Sequence, residues 1–243
     1  MAKRRLDAIL IGEHGVPDAN AAFVLVTEGR VFINGQKAVS PAQTVAGNAT
    51  VEVRQPRAYV GRAAYKLEAA LEHFGISVDG MIAADVGAAT GGFVEVLVKR
   101  GAKKVYAIDT ARGKLDLKIR EHPRVFVMEG TDARAIDRLP DPIDIVSMDV
   151  SLISLRQMLG PVRQWLAPDA SVIVLLKPQY EAEPGELKHG IVRLDAARER
   201  IVRDFRAWCS ANGWQERGMI ESPIRGTEGN IEYLFWLQLG SIG

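Results

Sequence analysis

Four ionisable residues stand at positions where the chain has a reason to hold charge. Lys177 closes the run V-I-V-L-L-K, which otherwise reads as a short strand buried on both faces. Asp149 closes a second such run, D-I-V-S-M-D. Neighbouring parallel strands lie about 4.8 Å apart, so these two charges can meet above the end of a sheet. Glu232 opens the last apolar run, "IEYLFWLQL", and Lys66 lies in the helical pattern "YKLEAALEHF". A lysine held among carboxylates does one of two things. As a free amine it takes a proton, and as an ammonium it stabilises a developing negative charge. For Lys66 alone the expectation is a surface position, since lysine is seldom buried unless paired.

A second constellation precedes these residues. The first strand of the larger region ends in "DVGAATGGF". Gly87, Gly91 and Gly92 let the backbone turn tightly and approach a ligand, and the helix that follows offers free N–H groups. The spacing is G-A-A-T-G-G, not the G-x-G-x-x-G that brings backbone against a pyrophosphate. Asp85, immediately before the turn, would repel a pyrophosphate but can receive the ammonium of S-adenosylmethionine. The next strand ends in "AIDT", placing Asp109 22 residues after Gly87, where a carboxylate can accept ribose hydroxyls. Asp132, in "EGTDAR", is a candidate partner for the adenine amine. Acids at three successive strand ends argue against mere turn residues, and the glycine spacing argues against a pyrophosphate-binding dehydrogenase.

These residues require a frame. From about residue 60 the pattern alternates between strand and helix: "AAYKLEAALEHFG", "MIAADVG", "GFVEVLVKRG", "KKVYAIDT", "GKLDLKIRE", "RVFVMEG", "DIVSMDV", "SLISLRQMLGPVRQWL", "SVIVLLK" and "AARERIVRDFRAWCSANG". It closes with two strands, "WQERGMIE" and "IEYLFWLQL", that have no helix between them. This predicts an α/β, Rossmann-like, mainly parallel sheet with an antiparallel hairpin at one edge. Residues 1–57 read differently. Two short helices, "RLDAILIGEHG" and "DANAAFVLVTEG", precede "RVFINGQKAV", whose Asn34-Gly35 signals a tight hairpin, and "TVAGNATVEV" alternates as a further strand. The expected division is therefore a small α+β module over 1–57 and a larger domain over 58–243, with a linker at about 54–61.

Composition sets limits. The 243 residues are 47% apolar and carry a net charge of +1, so no strong global field marks a polyanionic partner. Residues 1–57 hold seven Lys and Arg against five Asp and Glu, net +2, and Lys3, Arg4, Arg5, Arg30 and Lys37 are the candidates for a local basic patch. No run approaches the ~20 apolar residues of a membrane span. The lone Cys209 cannot form an intrachain disulfide and is expected as a helix core residue, which suits a reducing cytoplasm. No metal-ligand pattern stands out.

Over nearly its whole length the chain resembles the TlyA group of ribosomal RNA 2′-O-methyltransferases, with a catalytic domain similar to that of FtsJ. The resemblance rests on "RLDAIL", "GRVFINGQ", "YKLEAALEHF", "DVGAATGGF", "DVSLISL", "LKPQYEA" and "SPIRGTEGNIEYL". It implies a seven-stranded methyltransferase domain and an S4-like RNA-binding module at the front. It also implies a Lys-Asp-Lys-Glu catalytic tetrad at Lys66, Asp149, Lys177 and Glu232. S-adenosylmethionine would then be held by Asp85, Gly87, Gly91, Gly92, Phe93, Asp109, Asp132 and Asp149. The implied substrate is a cytidine ribose in ribosomal RNA or a ribosomal subunit, with the large subunit favoured because the longer members' C-terminal extension is lacking. The chain departs from the family's usual residues in "GRAAYKLE", "DTA" and "TDA", which bear on adenosine contacts. Two other readings are open: a non-catalytic RNA-binding or ribosome-assembly protein, which predicts a damaged tetrad, and a membrane-active haemolysin-like protein. The nearest membrane-active candidate, "AARERIVRDFRAWCSANG", fits better as a face packed on a sheet.

Overall fold

The computed structural model describes residues 3–54 and 58–240. The chain forms two compact units, 1–58 and 59–243. Part of the stretch read as a linker, residues 55–57 with Pro56, lies outside the described residues.

The first unit runs β1 (Arg4–Arg5), α1 (Leu6–Glu13), α2 (Ala19–Thr27), β2 (Val31–Ile33), β3 (Gln36–Lys37), β4 (Thr44–Val45) and β5 (Val51–Val53). Asp18 caps α2 by accepting the Ala21 N–H at 2.8 Å. Asn34 and Gly35 both take positive φ, 49° and 80°, which matches the twist of the β2–β3 hairpin. The expected single strand over "TVAGNATVEV" is instead two. A turn in which Ala49 N–H donates to Ala46 O separates β4, paired with β1, from β5, paired with β2. Gly47 and Asn48 favour that turn over a continuous ladder. A small core gathers Leu6, Ile9 and Leu10 of α1 with Val26, Val31 and Val45.

The second unit runs α3 (Ala64–Phe74), β6 (Ile82–Val86), α4 (Gly92–Lys99), β7 (Lys104–Asp109), α5 (Leu117–Arg120), β8 (Val125–Glu129), β9 (Ile143–Met148), α6 (Leu155–Val162), β10 (Leu166–Leu176), β11 (Leu187–Lys188), β12 (Ile191–Val192), α7 (Asp195–Ala211), β13 (Trp214–Glu221) and β14 (Tyr233–Leu239). Its seven-stranded sheet has the order β13-β14-β10-β9-β6-β7-β8. The pairs from β10 to β8 are parallel, and β14 runs antiparallel to both β10 and β13.

Side-chain alternation splits the sheet's apolar residues between two layers. Ala83, Val105, Ala107, Ile145, Ile173 and Leu234 pack with α3, α4 and α5. Ala84, Tyr106, Ile108, Val146, Val172 and Phe235 pack with α6 and α7. On α7, Ile201, Val202, Phe205 and Cys209 turn inward, so the helix weighed as membrane-active is a sheet-packing helix. Burial pushes the Cys209 thiol up to about 12, leaving it without thiolate character. Two features are absent from the sequence reading: the two-residue strand β1 and the β11–β12 hairpin between β10 and α7.

Candidate active site

The chain winds outward from β6 to β7 and β8, then returns to place β9 on the other side of β6. That reversal opens a crevice at the carboxyl ends of β6 and β9, the position where open α/β sheets take ligands. Both constellations from the sequence meet its rim.

On the β6 side, Gly87 and Ala88 both donate to Ile108 O, at 2.9 and 3.1 Å. Gly87 has φ +87°, and a Cβ there would lie 2.4 Å from the Asp149 carbonyl oxygen. The glycine is thus required by the close approach of the β6 and β9 loops. Gly91 has φ +95° and underlies Leu115 and Ile119, while Gly92 lies against the backbone of Ala64. Phe93 is buried in the core layer with α3 and α4, so its ring faces protein. Asp109 shapes the turn directly, accepting Ala89 N–H and Ala111 N–H at 2.7 Å each. Each of its oxygens retains a second lone pair for a ligand hydroxyl.

Asp85 is 1% exposed. Its Oδ1 accepts the Ser147 hydroxyl at 2.6 Å, while Oδ2 is buried with no partner. Desolvation pushes this carboxyl up to about 8; the Ser147 hydrogen bond opposes the shift, and the charges of Asp149 and Asp109 add to it. A buried, half-satisfied carboxylate beside a glycine turn fits a cationic ligand group. Asp132 is placed otherwise than expected. Arg134 holds both of its oxygens, at 2.6 Å for the shortest contact, so an adenine amine there would compete with a guanidinium. The same pairing keeps Asp132 below the usual carboxylate range.

On the β9 side, Asp149 N–H donates to Val86 O at 3.0 Å. Lys177 Nζ lies 2.6 Å from Asp149 Oδ1, and it donates to Ser151 Oγ at 3.0 Å. The β10–β14 register ends at Leu176 opposite Tyr233, and its continuation sets Lys177 opposite Glu232. Glu232, 2% exposed, forms a buried ion pair with Lys66 of α3, which is 7% exposed. The default surface position for Lys66 is therefore overturned, because a buried counter-ion removes the main cost of burying the ammonium. The four residues thus form two ion pairs, Lys177 with Asp149 and Lys66 with Glu232. Such pairing can hold a lysine at a hydroxyl with its charge balanced by a carboxylate.

Several supporting residues escaped the sequence reading. Ser147 is a polar residue inside the buried run D-I-V-S-M-D, and that anomaly was its available signal. Glu181, with a side chain 3% exposed, accepts the Ser154 hydroxyl at 2.7 Å and Leu155 N–H at 2.8 Å. Buried Asn230 accepts Val192 N–H at 3.0 Å and donates to Gly190 O at 2.9 Å, joining the β11–β12 hairpin to the loop before Glu232. Glu129 accepts N–H groups of Gly113, Lys114 and Leu115 and is held down to about 2, with the Arg120 hydrogen bond the largest cause. It secures the loop that packs Leu115 on Gly91.

In the first unit the basic candidates do not form one cluster. Arg4 and Arg5 are on β1, paired with Glu13 and with Asp7 at 2.6 Å. Arg30 meets Glu28 at 3.1 Å, and the Lys37 side chain lies over neighbouring Gly29 on a different sheet. Lys3 is exposed. Arg54, not chosen from sequence, stacks 3.6 Å over the Phe32 ring.

A doubly wound sheet with an acid-flanked glycine turn at its switch point defines a methyltransferase fold rather than a dinucleotide-binding oxidoreductase. The chain belongs to the FtsJ-like methyltransferase family, whose model matches residues 59–239. It is 38% identical, over 98% of its length and 91% of the relative's, to the 16S/23S rRNA (cytidine-2′-O)-methyltransferase TlyA of Mycobacterium tuberculosis. It is 39% identical to hemolysin A of Brachyspira hyodysenteriae, covering 95% of this chain and 98% of that one. A solved structure named as a hemolysin from Streptococcus thermophilus superposes with a TM-score of 0.76 at 33% identity, over 99% of this chain and 90% of that one. Among the described residues no helix is long and apolar enough to cross a membrane.

Proposed function

We propose that this protein transfers the methyl group of S-adenosylmethionine to the 2′-hydroxyl of a cytidine ribose in ribosomal RNA. The observation that carries the reading is the two ion pairs Lys177–Asp149 and Lys66–Glu232, with the first beside the Asp85 turn at the sheet's switch point. The relative's name supplies the cytidine and both ribosomal RNAs, and of the two we take large-subunit RNA as the target. Such a substrate places the protein's work in the cytoplasm.

S-adenosylmethionine supplies an electrophilic methyl on a sulfonium. Asp85 Oδ2 receives the cofactor's ammonium, and Asp109 with the Gly87 turn holds the adenosine ribose. Lys177 meets the acceptor hydroxyl. As an amine it removes the proton while the oxygen attacks, and as an ammonium it stabilises the developing alkoxide. Asp149 holds Lys177 in place, and Lys66, paired with Glu232, positions the hydroxyl or its adjoining phosphate. Holding oxygen and methyl in line removes much of the entropic barrier of a bimolecular reaction. The module over residues 1–57 serves as an S4-like RNA-binding domain, with Lys3, Arg4, Arg5, Arg30 and Lys37 contacting phosphates.

The test incubates the protein with labelled S-adenosylmethionine and separated small- and large-subunit RNAs and particles, then maps the label. Label on the 2′-oxygen of a cytidine in large-subunit RNA is expected, and base methylation would overturn the reading. Lys177→Ala lowers turnover by at least about a hundredfold with cofactor affinity nearly unchanged. Normal turnover in that variant refutes the assignment of Lys177.

A further inference from the structure

We infer that Ser151 is a positioning residue for methyl transfer, its hydroxyl fixing the rotation of the Lys177 amine beside the Asp149 carboxylate so that the amine faces the acceptor oxygen. The inference rests on the reading of Lys177 as the group at the 2′-hydroxyl.

The geometry at Nζ carries it. Asp149 Oδ1 lies at 2.6 Å and Ser151 Oγ at 3.0 Å, and the Tyr180 ring centroid stands at 5.8 Å. Ser151 Oγ accepts a hydrogen from Nζ, whereas Asp149 Oδ1, though close, is buried and takes no hydrogen bond, so its pull on Nζ is electrostatic. The bond to Ser151 therefore fixes rotation about Cε–Nζ, and with it the directions left for the acceptor oxygen. In a free amine one of these carries the lone pair that accepts the hydroxyl proton. In an ammonium it carries the hydrogen that faces the alkoxide. Without the serine hydroxyl, rotation about Cε–Nζ would leave that direction undetermined, and misorientation of a reacting group is costly.

Ser151 is exposed, yet its loop is held at both ends. Asp149 N–H is bonded to Val86 O at the start, and the Ser154 hydroxyl and Leu155 N–H are bonded to Glu181 at the finish. Glu181 follows Lys177 by four residues, so one buried carboxylate ties the serine's loop to the lysine's own segment. Between these anchors Leu152 adopts φ +65° while 88% exposed. Left-handed backbone is unfavourable for a branched side chain, and no packing offsets it here. The chain bends directly after Ser151, and local strain of this kind concentrates at functional sites.

Ser151→Ala, Ser151→Thr and Ser151→Val are compared with Lys177→Ala in the full chain, measuring kcat, the KM for ribosomal RNA and cofactor affinity. The alanine and valine variants are expected to lose about 10- to 100-fold in kcat, with KM and cofactor affinity within about twofold of the parent. Threonine, which keeps the hydroxyl, restores most of kcat, whereas valine, of the same shape, does not. An alanine variant with parental kcat overturns the role, and so does a threonine variant as slow as valine or a loss confined to KM. Full activity in Lys177→Ala would instead remove the underlying reading. An inactive Lys177→Ala beside a fully active Ser151→Ala removes only the role of the serine.

Discussion

Burial moves the Asp85 carboxyl from an ordinary 3.8 to about 8, and two measurable consequences follow at the scale of the residue. Below about pH 4 the group is protonated in both folded and unfolded chains. Above that, the unfolded chain ionises while the folded chain keeps its proton. The ligand-free fold therefore loses stability as pH rises, until pH passes about 8. Asp85→Asn lacks this component, so denaturation midpoints of the two proteins should diverge across that window, with the variant gaining relative to the parent. Parallel curves would contradict a buried neutral carboxyl. In the same window S-adenosylmethionine affinity should rise from about pH 6 to pH 7.5 with proton release, and Asp85→Asn should weaken it by roughly a hundredfold. Calorimetry in buffers of different ionisation enthalpy reads both. Asp85, Asp149, Lys177 and Glu232 stood out because charge at the end of an apolar strand is unusual, whereas Lys66, on a helix, was expected at the surface. Ser151 was not, since a serine in a turn looks like any other and only the fold sets it against Lys177.

At the scale of the element, the meeting of the β6 and β9 turns is the tightest demand on the chain. Gly87→Ala places a methyl 2.4 Å from the Asp149 carbonyl oxygen at φ +87°. Gly113→Ala, at φ +69° with nothing within 4 Å, imposes backbone strain alone. Thermal denaturation should show a loss of about 1–3 kcal/mol for Gly113→Ala and clearly more for Gly87→Ala. Only Gly87→Ala should abolish methylation, by displacing Asp149. Equal losses in both variants would mean that the contact relaxes freely. The central strands were readable because each is a short apolar run ended by a turn residue. The β11–β12 hairpin was not. It has two residues a side, and its turn sets His189 at φ +52° before Gly190, where asparagine would have been the recognisable signal. The split between β4 and β5 was missed because alternation continues through Gly47 and Asn48, and the competing turn is local.

At the scale of the molecule, the chain forms two units with separate cores. A variant lacking residues 1–57 should keep cofactor affinity while its affinity for ribosomal RNA falls at least about tenfold. Filter binding of labelled RNA beside cofactor titration measures this, and undiminished RNA affinity would contradict the assigned role. The sequence placed the change between units near residue 58, because helical and strand periods alternate only beyond it. It could not show that Arg4, Arg5 and Arg30 are each engaged by an acid, since ion pairing depends on side chains that the fold brings together. The reversed strand β14 has a final consequence, for a chain emerging during synthesis. It sits inside the sheet between β10 and β13, and it delivers Glu232 from its starting end. Until that stretch is made and inserted, Lys66 lacks its counter-ion. A nascent chain therefore gains its buried Lys66–Glu232 pair only once β14 has slotted between two strands already made, β10 and β13.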